Sequence, residues 1–166
     1  MKLDVEMAGE LHHPLETVEQ YLAEEQIAYE RSNDLEIQFL LTGTWCDYPV
    51  WYRWLPNTGV LQIGLGIETK IPENREQDVA SLLVQINEHL LVGHFDIYSQ
   101  DRALVFRHGQ LFEQGQMAHL SLVQKMIHAA MEAAEVMVPA LNFLLWSDKT
   151  ASEAVAAAMF ETVGEA

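Results

Sequence analysis

The fold is decided by the stretch Asp47-Tyr-Pro-Val-Trp-Tyr-Arg-Trp-Leu55 and by Val60-Leu-Gln-Ile-Gly-Leu-Gly-Ile67, which Pro56-Asn-Thr-Gly59 joins. In both halves apolar side chains recur at every second position, the pattern of a strand with one buried face. The joining run favours a turn, because proline presets φ and glycine accepts a positive φ. The sequence therefore predicts an antiparallel hairpin.

The register of this hairpin follows from the same alternation. Only one register collects the apolar side chains on a single face, since a shift by one residue would place them on both faces. That register predicts the cross-strand pairs Leu55–Val60, Trp54–Leu61, Arg53–Gln62, Tyr52–Ile63, Trp51–Gly64 and Val50–Leu65.

Further strands are predicted on both sides of the hairpin. Leu35 to Leu41 alternates in the same way and turns the hairpin into a three-stranded antiparallel meander. Phe95–Ile97 and Leu104–Phe106 favour a second hairpin around Ser99-Gln-Asp-Arg102. The segment Tyr29–Asp34, ahead of the meander, is predicted as a short extended piece and a turn. The expected platform is an antiparallel sheet of five strands.

Helices are predicted before and after these strands. Apolar side chains recur at helical spacing after Pro14 and again after Pro72. The core stripe of the second helix is Val79, Leu82, Leu83, Ile86 and Leu90. The order of helix, meander, helix, hairpin and further helices is typical of an α+β fold.

The C-terminal region is predicted as a kinked helix and a short one. Ser121-Leu-Val-Gln124 has the form of a capping box that opens a third helix. Its apolar pattern continues through Pro139, so we expect a kink there and an end near Trp146. Thr150-Ala-Ser-Glu153 is a second capping box before a short terminal helix.

Composition limits the classes of function. Nine basic against 25 acidic residues give a formal charge of −16, which repels phosphate backbones and anionic lipid, so we expect no nucleic-acid or membrane partner. Cys46 is the single cysteine, which precludes an internal disulfide and favours a reducing, cytoplasmic location. Glu132, Glu135 and Asn142 interrupt the longest apolar run, so no membrane span is expected. Residues 1–13 are predicted as a loose arm, and residues 14–166 as one domain.

The face of the meander opposite the apolar one is the first candidate site. Trp51, Arg53, Leu55, Gln62 and Gly64 would share it, as a flat contact surface for a protein partner. In the alternative interpretation, Trp51 lies over Gly64 and only shields its backbone, as aromatic side chains do beside strand glycines.

The second helix carries a further apolar line outside its core stripe. Ala80, Val84 and Leu91 form this line. A helix that is apolar on two sides is either deeply buried or lies at a subunit seam. We favour the seam, and with it a homodimer.

Catalytic and metal-binding patterns are weak throughout the sequence. Seven histidines are dispersed, and none forms an H-E-x-x-H helix, so no metal or cofactor is predicted. Cys46 beside Asp47 is interpreted as a buried thiol, because an acidic neighbour raises a thiol pKa. The chain is therefore expected to be non-enzymatic. The alternative is a small-molecule sensor or an unrecognised enzyme with a pocket between sheet and kinked helix, in which His94, Asp96 and His108 would meet.

Several strings resemble the YbjN family, whose members are described as candidate regulators of bacterial sensory transduction. They are Trp45-Cys-Asp-Tyr48, Ile86-Asn-Glu-His-Leu90, Gly93-His-Phe-Asp96, Phe106-Arg-His108 and Ala156-Ala-Ala-Met-Phe-Glu-Thr-Val-Gly-Glu-Ala166. The resemblance implies a fold like that of type III secretion chaperones, a bacterial cytoplasmic setting and a regulatory or chaperone-like role in binding another protein. Chaperones of this fold are acidic dimers that hold an extended partner segment.

Overall fold

The computed structural model describes residues 13–163, with side chains to Phe160, and these residues form a six-stranded antiparallel sheet and four α-helices. The strands are β1 (Tyr29–Asn33), β2 (Glu36–Thr42), β3 (Asp47–Leu55), β4 (Val60–Ile67), β5 (His94–Ile97) and β6 (Leu104–Leu111). The helices are α1 (Pro14–Glu24), α2 (Glu76–His89), α3 (Leu120–Trp146) and α4 (Ala151–Val163). The predicted arm lies outside the described residues, apart from His13.

The α+β fold and the central register are confirmed. All six predicted pairs between β3 and β4 are present, from Val50–Leu65 to Leu55–Val60. The strands lie in the order β1-β2-β3-β4-β6-β5, so β6 joins the meander and β5 forms one edge. The hairpin of β5 and β6 is confirmed as well, with Phe95 opposite Phe106.

The predicted count of five strands is wrong, because Tyr29–Asn33 forms β1 at the other edge. It pairs antiparallel with β2, beginning with Tyr29 opposite Phe39, and a bulge interrupts the ladder between Arg31 and Asn33. All five of its residues are exposed. An edge strand with no buried face shows no alternation of apolar and polar residues, so no pattern in the sequence indicates it.

The two N-terminal helices carry the predicted apolar stripes. Leu15, Val18 and Leu22 of α1 are fully buried. In α2 the first four residues of the predicted stripe are buried, whereas Leu90 is the C-cap. A short 3₁₀ turn at Glu73–Arg75 separates Pro72 from α2, so the α-helix itself begins later than predicted.

The two predicted capping boxes have opposite outcomes. At Thr150, the backbone N–H donates to Glu153 Oε2 (2.8 Å) and the Thr150 hydroxyl accepts from the Glu153 N–H (3.4 Å), so this box is confirmed. The box at Ser121 is wrong, because α3 already begins at Leu120 after His119, which makes no side-chain cap bond.

Helix α3 continues through Pro139 to Trp146, as predicted. Contrary to the expectation from its acidic interruptions, α3 is long and apolar enough to cross a membrane by length and composition, with a mean hydropathy of 1.2 in its most apolar window. Half of that window is buried inside the fold. The core helix of a soluble protein passes the same test, and the buried side chains of α3 belong to the core of this fold.

The helices cover one face of the sheet, which we call the inner face. Its side chains and the helix stripes form a single core that runs from Leu15 to Ala158. At the centre, the hydroxyl of Tyr52 donates to the Val123 carbonyl of α3 (2.9 Å). Filled packing therefore occupies the place between sheet and α3 where the alternative hypothesis put a pocket.

Candidate binding face of the sheet

The opposite face of the sheet, which we call the outer face, contributes no side chain to that core. One row of cross-strand neighbours on this face crosses all strands from β1 to β5, namely Glu30, Gln38, Trp51, Gly64, Arg107 and His94. Arg53 and Gln62 lie in the next row, and Leu55 lies at the end of β3. All five residues predicted for partner binding therefore share the outer face.

The indole of Trp51 lies directly on Gly64. A Cβ added to Gly64 would come within 2.1 Å of the ring, so no larger residue fits beneath it without moving the indole. One step along the strands, a Cβ on Gly66 would lie 3.2 Å from Pro49 Cγ. Trp51 therefore lies over Gly64, as the shielding interpretation requires, and Pro49 with Trp51 forms an apolar ridge at the centre of the outer face. Whether Trp51 also contacts a partner stays a prediction.

A depression lies on each side of this ridge. The first, of about 770 Å³, extends towards β1 and contains Leu40, which is 63% exposed. The second, of about 1000 Å³, extends towards the β5–β6 turn and is bordered by Val105 and Tyr98. Val105 is 2% exposed although it lies outside the main core. The outer face therefore has an apolar centre with a depression on each side.

The basic side chains of the outer face are paired within it. Arg53 binds Glu36 (2.6 Å), and Arg107 binds Asp96 while its guanidinium lies 5.4 Å from the Tyr98 ring. Partial burial would raise the pKa of Glu36, but hydrogen bonds from Gln38 and Arg53 and the charge of Arg53 together lower it.

The rim of the outer face keeps exposed carboxylates. Glu30 borders the first depression, and Glu68 borders the second together with Asp101. Lys70 and Arg102 also border the second depression. Two glutamates, Glu73 and Glu76, bind Arg102. The rim is acidic on balance.

His94, Asp96 and His108 do not meet in an enclosed pocket, which is the arrangement that would have favoured the alternative function. Arg107 holds Asp96 on the outer face, whereas His108 lies opposite Ile63. His94 and His108 border a shallow hollow of about 360 Å³ at the β5 edge. Burial, and next the charge of His94, lower the pKa of His108. Within residues 13–163, no group of three or more His, Cys, Asp or Glu could hold a metal ion.

Cys46 and the apolar line on α2 are both exposed. The buried-thiol interpretation of Cys46 is wrong, because it lies at the surface in the β2–β3 turn. Ala80 is exposed, Val84 is 70% exposed and Leu91, beyond the helix end, is fully exposed. Deep burial of this line is therefore excluded, and the subunit seam stays a prediction.

Sequence reasoning missed two polar side chains that join separate elements, one of them across a long stretch of sequence. The Glu135 carboxylate of α3 accepts from the Thr44 N–H (3.0 Å) and from the Tyr48 hydroxyl (3.0 Å). Burial, and next this carboxylate, raise the pKa of Tyr48. Asn87 of α2 donates to the Phe95 carbonyl (3.1 Å) and accepts from its N–H (2.7 Å). Asn87 stands in one of the strings that carried the family resemblance.

Two comparisons with known proteins identify relatives. The family described as "YbjN: Putative bacterial sensory transduction regulator" matches residues 14–143. Three chains of solved structures match, and one is the "Crystal structure of YbjN, a putative transcription regulator from E. coli". Its TM-score is 0.50 at 12% identity, over 72% of this chain and 84% of that chain, so it shows the fold alone. No curated protein sequence matches significantly. The resemblance inferred from the motifs is confirmed.

Proposed function

The chain belongs to the YbjN family, and from that premise we propose that it is a non-enzymatic regulatory or chaperone-like module of the bacterial cytoplasm, which binds a segment of another protein on its outer face. One observation carries the proposal: among residues 13–163, no helix packs on the outer face of the six-stranded sheet, which has an apolar ridge at its centre. Exposed apolar patches rimmed by polar residues mark interaction sites in soluble proteins.

The outer face favours a partner segment with apolar side chains on one side and basic ones around them. Trp51 and Pro49 offer the apolar contact, and large aromatic residues dominate the binding energy of most interfaces. Arg53 and Arg107 are neutralised within the face, whereas Glu30 and Glu68 are exposed at its rim. The formal charge of −16 attracts a cationic segment and repels an acidic one.

An amphipathic helix fits this face better than an extended strand. Helices pack well on the faces of sheets, and among the described residues the outer face has no helical layer of its own. The two depressions beside the Pro49–Trp51 ridge would receive apolar side chains of such a helix, as in other helix-in-groove complexes. The proposed partner is therefore a basic amphipathic helix from another protein.

The test uses a synthetic 18-residue peptide with leucine on one helical stripe and lysine elsewhere. Its matched control carries serine in place of leucine and keeps the charge. We expect the leucine peptide to shift backbone amide signals of the outer face, and Trp51→Ala to weaken binding at least about tenfold, or about 1.4 kcal/mol. Trp146→Ala, which removes a tryptophan that is 85% exposed on α3, should have no effect.

Three results would overturn the proposal. Equal affinities of the serine and leucine peptides would reduce the contact to bulk charge. Shifts confined to the helices would place the contact elsewhere. If the double variant Trp51→Ala/Leu40→Glu bound the peptide as tightly as the wild type, neither the ridge nor the first depression would contact it.

A homodimer through α2 is a second proposal, based on the exposure of Val84 and Leu91. A contiguous exposed apolar patch marks an interaction site in soluble proteins, and we propose that the line of Ala80, Val84 and Leu91 is such a patch. We expect light scattering at micromolar concentration to give twice the chain mass of 18.9 kDa. Val84→Glu should give the monomer, whereas Gln124→Glu on α3 adds the same charge and should leave the dimer intact. A monomeric wild-type chain would contradict the proposal.

A further inference from the structure

Three aromatic side chains border one hollow at the end of the sheet formed by the β3–β4 turn. The hollow has a volume of about 510 Å³, within the range of small-molecule sites. The ring centroid of Trp54 lies 6.2 Å from that of His13 and 6.1 Å from that of Phe112. The other two rings are inclined by 73° and 77° to the indole. We call this hollow the aromatic pocket.

The aromatic pocket is held in shape by bonds that do not involve a ligand. His13 precedes α1, and its Nδ1 accepts from the Leu15 N–H (3.2 Å), which fixes the imidazole. The Phe112 N–H donates to the Gly59 carbonyl (2.8 Å). Gly59 has a φ of +64°, and a Cβ there would lie 2.8 Å from the Phe112 carbonyl oxygen. Only glycine therefore allows the β3–β4 turn to approach Phe112 so closely.

A short turn after β6 forms the rim of the aromatic pocket. The Glu113 N–H donates to Gln116 Oε1 (3.0 Å), and the Gln116 N–H donates to the Glu113 carbonyl (3.0 Å). Glu113 is the one carboxylate among the described residues that border the pocket, and these residues include no lysine or arginine. The rim is thus negative while the walls are aromatic.

We propose that the aromatic pocket binds an organic ammonium group. The faces of aromatic rings carry negative potential, and several rings around one hollow are the arrangement that recognises quaternary ammonium ligands. Glu113 adds a full negative charge, and the formal charge of −16 raises the local concentration of cations. A metal ion would need several oxygen ligands, which this wall of rings does not offer.

This inference goes beyond the proposed protein-binding function and does not depend on it. The aromatic pocket is bordered by α1, the β3–β4 turn and the segment after β6, and it shares no residue with the two depressions of the outer face. Its ligand could be a free small molecule or an ammonium side chain of a protein. Both sources present the same chemistry to Trp54, and the experiment separates them.

The test is a titration of the full chain with choline at constant ionic strength, followed by the indole N–H signal of Trp54 in NMR spectra. The control ligand is 3,3-dimethylbutan-1-ol, which has the shape of choline without its charge. We expect choline to bind at least about tenfold more tightly than the neutral isostere. Glu113→Gln should weaken choline binding severalfold, and Phe112→Leu should weaken it more. Glu132→Gln, which removes an exposed carboxylate on α3, should leave it unchanged.

A second arm identifies the source of the ammonium group. A short peptide with trimethyl-lysine is compared with the same peptide carrying unmodified lysine. Tighter binding of the trimethyl-lysine peptide than of choline would assign the pocket to a protein segment, and the reverse order would assign it to a free small molecule. Equal binding of choline and its neutral isostere, or full binding by Phe112→Leu with native-like spectra, would overturn the proposal.

Discussion

The inner and outer faces of β3 have opposite surroundings on one backbone. Tyr48, Val50 and Tyr52 point inwards and are at most 1% exposed, whereas Trp51 is partly exposed and Arg53 is exposed. The polar groups of the inner face bind the helices, as Tyr52 binds Val123. Those of the outer face bind one another, as Arg53 binds Glu36. The polar side chains of the inner face therefore find their bonding partners on the helices. Arg53 and Glu36 of the outer face find theirs on neighbouring strands.

The largest contrast is expected between neighbours on β4. Ile63 is fully buried on the inner face, and Gln62 lies beside it on the outer face. We expect Ile63→Ala to lower the free energy of unfolding by about 2–5 kcal/mol, through lost burial and the cavity left behind. Gln62→Ala should change it by no more than about 0.5 kcal/mol. Urea unfolding monitored by circular dichroism measures both, and similar losses would mean that the outer face is covered.

Glu135 tests whether the inner polar contacts stabilise the fold. Glu135→Ala leaves the part-buried Tyr48 hydroxyl without this acceptor, and such a loss at a buried donor costs about 1–3 kcal/mol, whereas the exposed Thr44 N–H can bind water instead. Glu132→Ala, at an exposed position one turn earlier on α3, is the matched control and should change stability by no more than about 0.5 kcal/mol. If Glu135→Ala lowered the free energy of unfolding by the same amount in a Tyr48→Phe background, the contact between these two side chains would not contribute to stability.

A double-mutant cycle at Trp51 and Gly64 tests the ridge of the outer face. Gly64→Ala places a Cβ within 2.1 Å of the present indole position, so the ring must move, and we expect a loss of about 1–3 kcal/mol from overpacking. In a Trp51→Ala background the same change should cost little, because the space above Gly64 is then open. Denaturant midpoints of the four proteins give the coupling. Additive effects would show that the indole does not lie on Gly64 in solution.

The sequence allowed the fold to be predicted where local pattern decides it. Alternation fixed the pairs of β3 and β4, since a slip would have moved every apolar side chain. It failed at Tyr29–Asn33, which has no buried face. Two capping motifs of the same general form had opposite outcomes, because the start of a helix also depends on the residues before the motif.

The candidate site could be predicted only in part. Alternation placed Trp51, Arg53 and Gln62 on one face, but it could not show whether a helix covers that face. The contact of Glu135 with Thr44 spans 91 positions in the sequence, and no local spacing signals such a contact. The aromatic pocket likewise collects His13, Trp54 and Phe112 from three separate segments. Sites assembled by tertiary packing have no short sequence signature.

The smallest expected effect concerns pH at the β5 edge of the sheet. Burial, and next His94, hold the pKa of His108 below its ordinary 6.5, so the unfolded chain takes up this proton before the folded one does. His108 therefore contributes its full stability above pH 6.5 and loses it as the pH falls through its folded pKa. His108→Gln should flatten the slope of the unfolding free energy between about pH 5 and 7. His94→Gln should raise the pKa of His108 only part of the way to 6.5 in an NMR titration, because burial is the larger cause. A pKa of His108 that returned fully to 6.5 in this variant would assign the shift to the His94 charge instead.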